Sequence, residues 1–120
     1  ASTAASIGEK TRAAYCASKS AILGLTRAVA LEGAPNGVSC NAISPGGVVT
    51  QQAINAVTLE LEMKGIYTPV EQFFDESARE KPQKRHVESN EIAALALFLC
   101  RSDALSITGQ DLTVDGGNLW

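Results

Sequence analysis

Tyr15 and Lys19 lie four residues apart in a proline-free run of helix formers, Thr11 to Glu32, so their side chains share one helix face, one turn apart. A phenol ordinarily titrates at about 10, and an ammonium beside it favours the phenolate. The pair therefore suits general acid or base work at an oxygen atom. Ser2, upstream of both, carries a hydroxyl that can bond the same oxygen and hold it beside the phenol. Each signal is weak alone. A surface Lys often packs its stem on a Tyr, and a lone Ser is as readily a cap or a turn former.

The segment Asn41-Ala42-Ile43-Ser44-Pro45-Gly46-Gly47-Val48-Val49-Thr50 adds context. It sits at the end of an expected strand, where ligands bind in open α/β sheets. Pro45-Gly46 lets the backbone turn sharply and approach a flat ring. Val48 offers its main-chain N–H and C=O to a carboxamide, and Thr50 its hydroxyl to a phosphate. Pro-Gly is also an ordinary turn, and it is the upstream Tyr15 and Lys19 that favour the binding reading.

The elements that must hold these groups follow an α/β order. The helix over Thr11–Glu32 stops at Gly33, with Pro35 just beyond. Between Ala13 and Ala30 only Lys19 and Arg27 are charged, so this helix needs cover on more than one side. Ala17, Ala21, Gly24 and Ala28 are small enough to admit another backbone, either at a subunit interface or inside a larger monomer. Val38 to Ile43 reads as a strand. Helices over about 52–64 (Ile54, Val57, Leu61) and 71–80 (Phe73, Phe74) read as a lid or as an ordinary surface hairpin. Ser89 is the expected N-cap of a helix over 90–100, with Ile92, Leu95, Ala96 and Leu99 on one stripe. After the Gly109 turn, Leu112-Thr113-Val114 reads as a second strand closed by Gly116-Gly117. Two strands separated by helices cannot make a parallel sheet covered on both faces, whereas a doubly wound sheet has about six. The chain is expected to be part of a domain roughly twice its length.

Composition narrows the function classes. Of the 120 residues 45% are hydrophobic and 19% charged, as in ordinary globular domains. A net charge of -3 argues against a nucleic-acid surface, and the basic run Lys81 to Arg85 reads as a solvated loop. Cys16, Cys40 and Cys100 form no C-x-x-C pair, and His86 is the one histidine, so no metal site is expected. Odd, widely spaced cysteines suggest buried, reduced thiols and a cytoplasmic location. No apolar run is long enough to span a bilayer. His86, in a polar loop, reads as a surface or supporting residue rather than a catalyst.

Taken together, Ser2, Tyr15-Cys16-Ala17-Ser18-Lys19, Asn41 through Thr50 and Thr113-Val114-Asp115-Gly116-Gly117 resemble the C-terminal half of a short-chain dehydrogenase/reductase. The resemblance implies the C-terminal portion of one Rossmann-like doubly wound parallel sheet, residues 1–120, with a helical substrate lid at about 51–87 and the N-terminal cofactor-binding half absent. It implies an oxidoreductase that interconverts a secondary alcohol and a ketone with NAD(H) or NADP(H). Tyr15 would be the general acid or base and would also contact the cofactor, Lys19 would bind the nicotinamide ribose and tune Tyr15, and Ser2 would orient the substrate. Pro45, Gly46, Val48 and Thr50 would line the cofactor. Asp115-Gly116-Gly117 matches a structural strand end. The expected partners are a small alcohol or ketone and further copies of the chain, as a dimer or tetramer.

The glycine-rich loop, the residue that selects NAD or NADP, and the family's fourth catalytic residue, an Asn, match nothing in the 120 residues. The insertion Gln51–Val87 and the run Phe98-Leu99-Cys100 look similar to 3-hydroxybutyrate and sugar or polyol dehydrogenases. Ala4 and Gly47 depart from the His and the aromatic residue that the hydroxybutyrate enzymes tend to carry. The alternatives are a truncated, non-catalytic piece that docks on full-length subunits, and an epimerase or dehydratase of the extended branch.

Overall fold

Backbone pairing decides where the strands run. The computed structural model describes residues 1–119 and contains strand β1 (Ala42–Pro45) and strand β2 (Asp111–Val114), joined in parallel with Ala42 opposite Asp111 and Pro45 opposite Val114. Four α-helices complete the frame: α1 (Ala13–Gly33), α2 (Gln51–Met63), α3 (Val70–Glu80) and α4 (Ser89–Leu99), with α2, α3 and α4 in the crossover between the strands. Short 3-10 turns occupy Thr3–Ala5, Ala34–Asn36 and Ser102–Ala104.

Strand β1 begins later than the sequence pattern suggested. Val38 to Asn41 is not strand: isolated backbone bonds, Val38 N–H to the Gly33 carbonyl and Gly109 N–H to the Cys40 carbonyl, and side-chain bonds tie it down without a ladder. The Cys40 amide donates to the Thr108 hydroxyl, the Asn41 amide nitrogen to the Ile107 carbonyl, and the Gln110 N–H to Asn41 Oδ1. At the start of β1 and just past its end, the Ala42 and Gly46 N–H groups donate to the Gln110 and Val114 carbonyls, so Ile43 presents its polar groups to the opposite edge. There the Ile43 carbonyl accepts from the Ala1 amine at 3.0 Å.

Helix α4 also starts one residue earlier than expected, and Glu88, not Ser89, is its N-cap. The Glu88 carboxylate accepts from the Glu91 N–H while the Glu91 carboxylate accepts from the Glu88 N–H at 2.8 Å, a reciprocal capping box. Helix α2 ends in a Schellman motif: Gly65 takes a left-handed φ of 66°, and the Ile66 N–H reaches the Leu61 carbonyl at 2.9 Å. Helices α2 and α3 leave and rejoin the body at neighbouring points. Val48 bridges Val87, whose N–H donates to the Gly47 carbonyl at 3.1 Å.

The core is thin. Its buried apolar residues are Ala4, Ala30, Ala42, Leu61, Val87 and Ala104. The radius of gyration is 16.5 Å, against about 13 to 14 Å for a compact domain of this length. Along α1 only Thr26 and Ala30 are buried, while Leu25 and Leu31 are 64% and 78% exposed. A Cβ on Gly24 would meet no atom within 4 Å among the described residues. The cover that an apolar α1 needs is not supplied by this chain's own described residues. The cysteines depart from expectation too: Cys16 and Cys40 are half-buried and Cys100 is exposed, all three free. No described helix is long and apolar enough to cross a membrane.

Candidate active site

Six of the residues singled out from the sequence, Ser2, Tyr15, Pro45, Gly46, Val48 and Thr50, line one cavity of about 460 Å³. Lys19 is not part of its wall, and stands one turn further along α1 with Nζ 5.3 Å from the centre of the Tyr15 ring. Ala1, Gln52, Ser89 and Ile92 complete the lining. Gln52 lies in the first turn of α2, and Ser89 and Ile92 lie three apart on the first turn of α4, a spacing that puts them on one face. That spacing was the available signal for the α4 pair, and only the fold shows which way the face points.

Each wall is held for a local reason. Ser2 is extended, and its Oγ accepts from the Ala4 N–H at 3.2 Å, so it caps the 3-10 turn while bordering the cavity. That turn packs against α1, where the Ser20 hydroxyl donates to the Ala5 carbonyl at 2.9 Å. Tyr15 in the first turn of α1 is thereby carried to the same mouth as Ser2.

The loop that follows β1 is fixed from beneath. A Cβ on Gly46 would lie 2.7 Å from Asp115 Cβ and 2.9 Å from Asp115 Cα, so only glycine permits this approach. The sequence reading gave Gly46 the task of approaching a ring, and the observed close contact is with Asp115. The Asp115 carboxylate is itself buried, accepting from the Gly117 N–H at 2.8 Å and the Leu119 N–H at 2.9 Å. Beyond the loop, Thr50 caps α2 by accepting from the Ala53 N–H at 3.2 Å, which leaves its own proton available. The Gln51 and Gln52 N–H groups of that first turn lack intrahelical acceptors, and the helix N-terminus favours an anion.

His86 lies outside the cavity wall, with Nε2 against the Phe74 carbonyl at 3.1 Å and its ring edge-on to Phe74. A carbonyl only accepts, so Nε2 carries the proton. Nδ1 is buried without a partner among the described residues and faces the bare Cα of Gly47. Lys81 Nζ approaches the same spot, while Pro82 to Arg85 are exposed, as expected of a solvated run.

A family model described as enoyl-(acyl carrier protein) reductase matches residues 1–118. The chain belongs to the short-chain dehydrogenase/reductase family. Among its relatives is a D-beta-hydroxybutyrate dehydrogenase of Rhizobium meliloti, 38% identical over 107 residues, which covers 88% of this chain and 41% of that protein. The aldohexose dehydrogenase of Thermoplasma acidophilum superposes with a TM-score of 0.88 at 36% identity, over 99% of this chain and 46% of the other. The L-sorbose reductase of Gluconobacter frateurii, solved with NADPH and L-sorbose, gives 0.86 at 27% identity, over 99% and 45%. The chain thus spans less than half the length of these members of the short-chain dehydrogenase/reductase family.

Proposed function

We propose that this chain is the C-terminal part of an NAD(P)-dependent oxidoreductase that interconverts a secondary alcohol and a ketone. The observation that carries the reading is the single cavity bordered by Ser2, Tyr15 and the Pro45-to-Thr50 loop, with Lys19 one turn behind the phenol. Relatives named as dehydrogenases and reductases, one of them solved with NADPH, support the same class.

The residues fit a dinucleotide of this kind. The first turn of α2 offers unpaired N–H groups and the Thr50 hydroxyl to a phosphate, and the Gly46 backbone offers a flat wall. Val48 would meet the carboxamide and Lys19 the ribose. When bound, the cofactor supplies or accepts the hydride at the carbonyl carbon.

The chain's own residues handle the rest. Tyr15 gives a proton to the carbonyl oxygen during reduction and takes it back from the alcohol during oxidation. Ser2 donates its hydroxyl to the same oxygen and can do so while its lone pair caps the 3-10 turn. Helices α2 and α3, hinged where Val48 meets Val87, act as the lid over 51–87. The bare sides of α1 are covered by the cofactor-binding half of the domain and by further subunits, and the setting is cytoplasmic.

Nicotinamide-linked absorbance tests this in the polypeptide that carries the chain together with a cofactor-binding half. Steady turnover is expected with at least one of D-3-hydroxybutyrate, an aldohexose or a ketose. No turnover with any of them, in either direction and with either cofactor, contradicts the reading.

A further inference from the structure

Two cations lie over the Tyr15 ring. Lys19 stands one turn after it, and Arg12 stands three residues before it with Cζ only 4.4 Å from the ring centre. Arg12 is the closer of the two, and its role is not assigned by the Tyr-x-x-x-Lys pattern.

Its placement is built rather than incidental. Arg12 is the entry residue of α1 and makes no side-chain cap, so the guanidinium is not spent on the helix end. It is anchored instead by the Glu9 carboxylate at 2.6 Å. The residue before it, Thr11, sits at φ 64°, a left-handed conformation that a β-branched residue rarely takes. The Thr11 hydroxyl donates to the Lys10 carbonyl at 2.6 Å within that bend. Arg12 does not line the cavity; among the described residues Glu9 is its salt-bridge partner, and its charge also reaches Glu60.

We infer that Arg12 is a positioning residue: anchored by Glu9, it holds the Tyr15 ring by a cation–π contact so that the phenol stays at the cavity mouth. The inference rests on Tyr15 being the proton-transfer group of the proposed reaction. An arginine suits the task because its planar head stacks on an aromatic face.

The test is a kcat-against-KM comparison in the complete domain. Arg12→Gln is expected to lower kcat about three- to fivefold, the scale of an exposed cation–π contact, with KM and cofactor affinity unchanged. Arg12→Lys should recover most of the loss. An unchanged kcat, a rise in KM alone, or a Lys variant no better than Gln each overturns the role. Should Arg12→Gln melt early, Glu9→Gln is read in its place: it keeps the guanidinium and removes its anchor, and kcat should still fall, by a smaller factor. No fall there also overturns it. Tyr15→Phe run in parallel separates the two claims. Full turnover in that variant refutes the proposed reaction itself, whereas an inactive Tyr15→Phe beside an unaltered Arg12→Gln removes only the Arg12 role.

Discussion

The two walls of the candidate site are held in opposite ways. The loop wall, Pro45 to Thr50, stands on a sheet end where the chain satisfies its own polar groups: Asp115 closes two N–H groups, the Ser44 hydroxyl donates to Asp111, and Gly46 lies against Asp115 with no room for a side chain. The helix wall, which carries Tyr15 and Lys19, is bare along most of α1 and touches the body mainly at Thr26, Ala30 and the 3-10 turn beside Ser2. The contrast teaches that one half of the site is set by local packing and the other by whatever covers α1.

Substitutions at the sheet end should break this contrast most severely. Gly46→Val places two methyls where even a Cβ is 2.7 Å from Asp115, and a loss of about 3 kcal/mol or outright misfolding is expected in denaturant unfolding. Unchanged stability would mean that the loop is not fixed from beneath. Asp115→Ala leaves the Gly117 and Leu119 N–H groups without acceptors and should cost about 2 kcal/mol. Asp115→Asn, which keeps one oxygen acceptor, should recover part of that.

On the bare helix the sign reverses. Gly24→Ala meets open space and should stabilise this chain by about 0.5 to 1 kcal/mol through helix propensity. A loss in the chain alone would show that the face is already covered.

The smallest effect concerns the α4 cap. Arg85, and then the Glu88 N–H, hold the Glu91 carboxyl down at about 2 against 4.5. Its folded pKa is depressed, so its contribution is complete above about pH 4.5 and disappears as pH falls through about 2. Melting curves of Glu91→Gln and the unsubstituted chain should differ slightly at neutral pH and converge toward pH 2. A gap that persists there contradicts the cap assignment.

Much of this was legible in advance because it is local. Tyr15 and Lys19 needed only the 3.6-residue period of one helix, and α2, α3 and β2 fall within a residue or two of where their apolar spacing put them. The misses are non-local. Val38 to Asn41 carries strand-like residues, yet its pairing is decided by Thr108, Ile107 and Gln110, nearly seventy residues away. Ser89 is a good cap by type, but Glu88 forms a reciprocal pair with Glu91 and takes the place. Gln52, Ser89 and Ile92 joined the cavity only when the crossover folded α2 and α4 toward the same loop. Gly46 borders the cavity as its loop position suggested, and only the fold shows that Asp115 leaves no room there for a side chain. Arg12 was within reach of the spacing argument, three residues before Tyr15.

The central claim is that the phenol of Tyr15 acts on the reacting oxygen, while the loop wall and Lys19 hold the cofactor. Tyr15→Phe in the complete domain tests it most directly, with kcat and the cofactor dissociation constant measured on the same preparation. The expected result is turnover lost by several orders of magnitude with cofactor affinity nearly intact. Turnover close to that of the unsubstituted protein would contradict the claim.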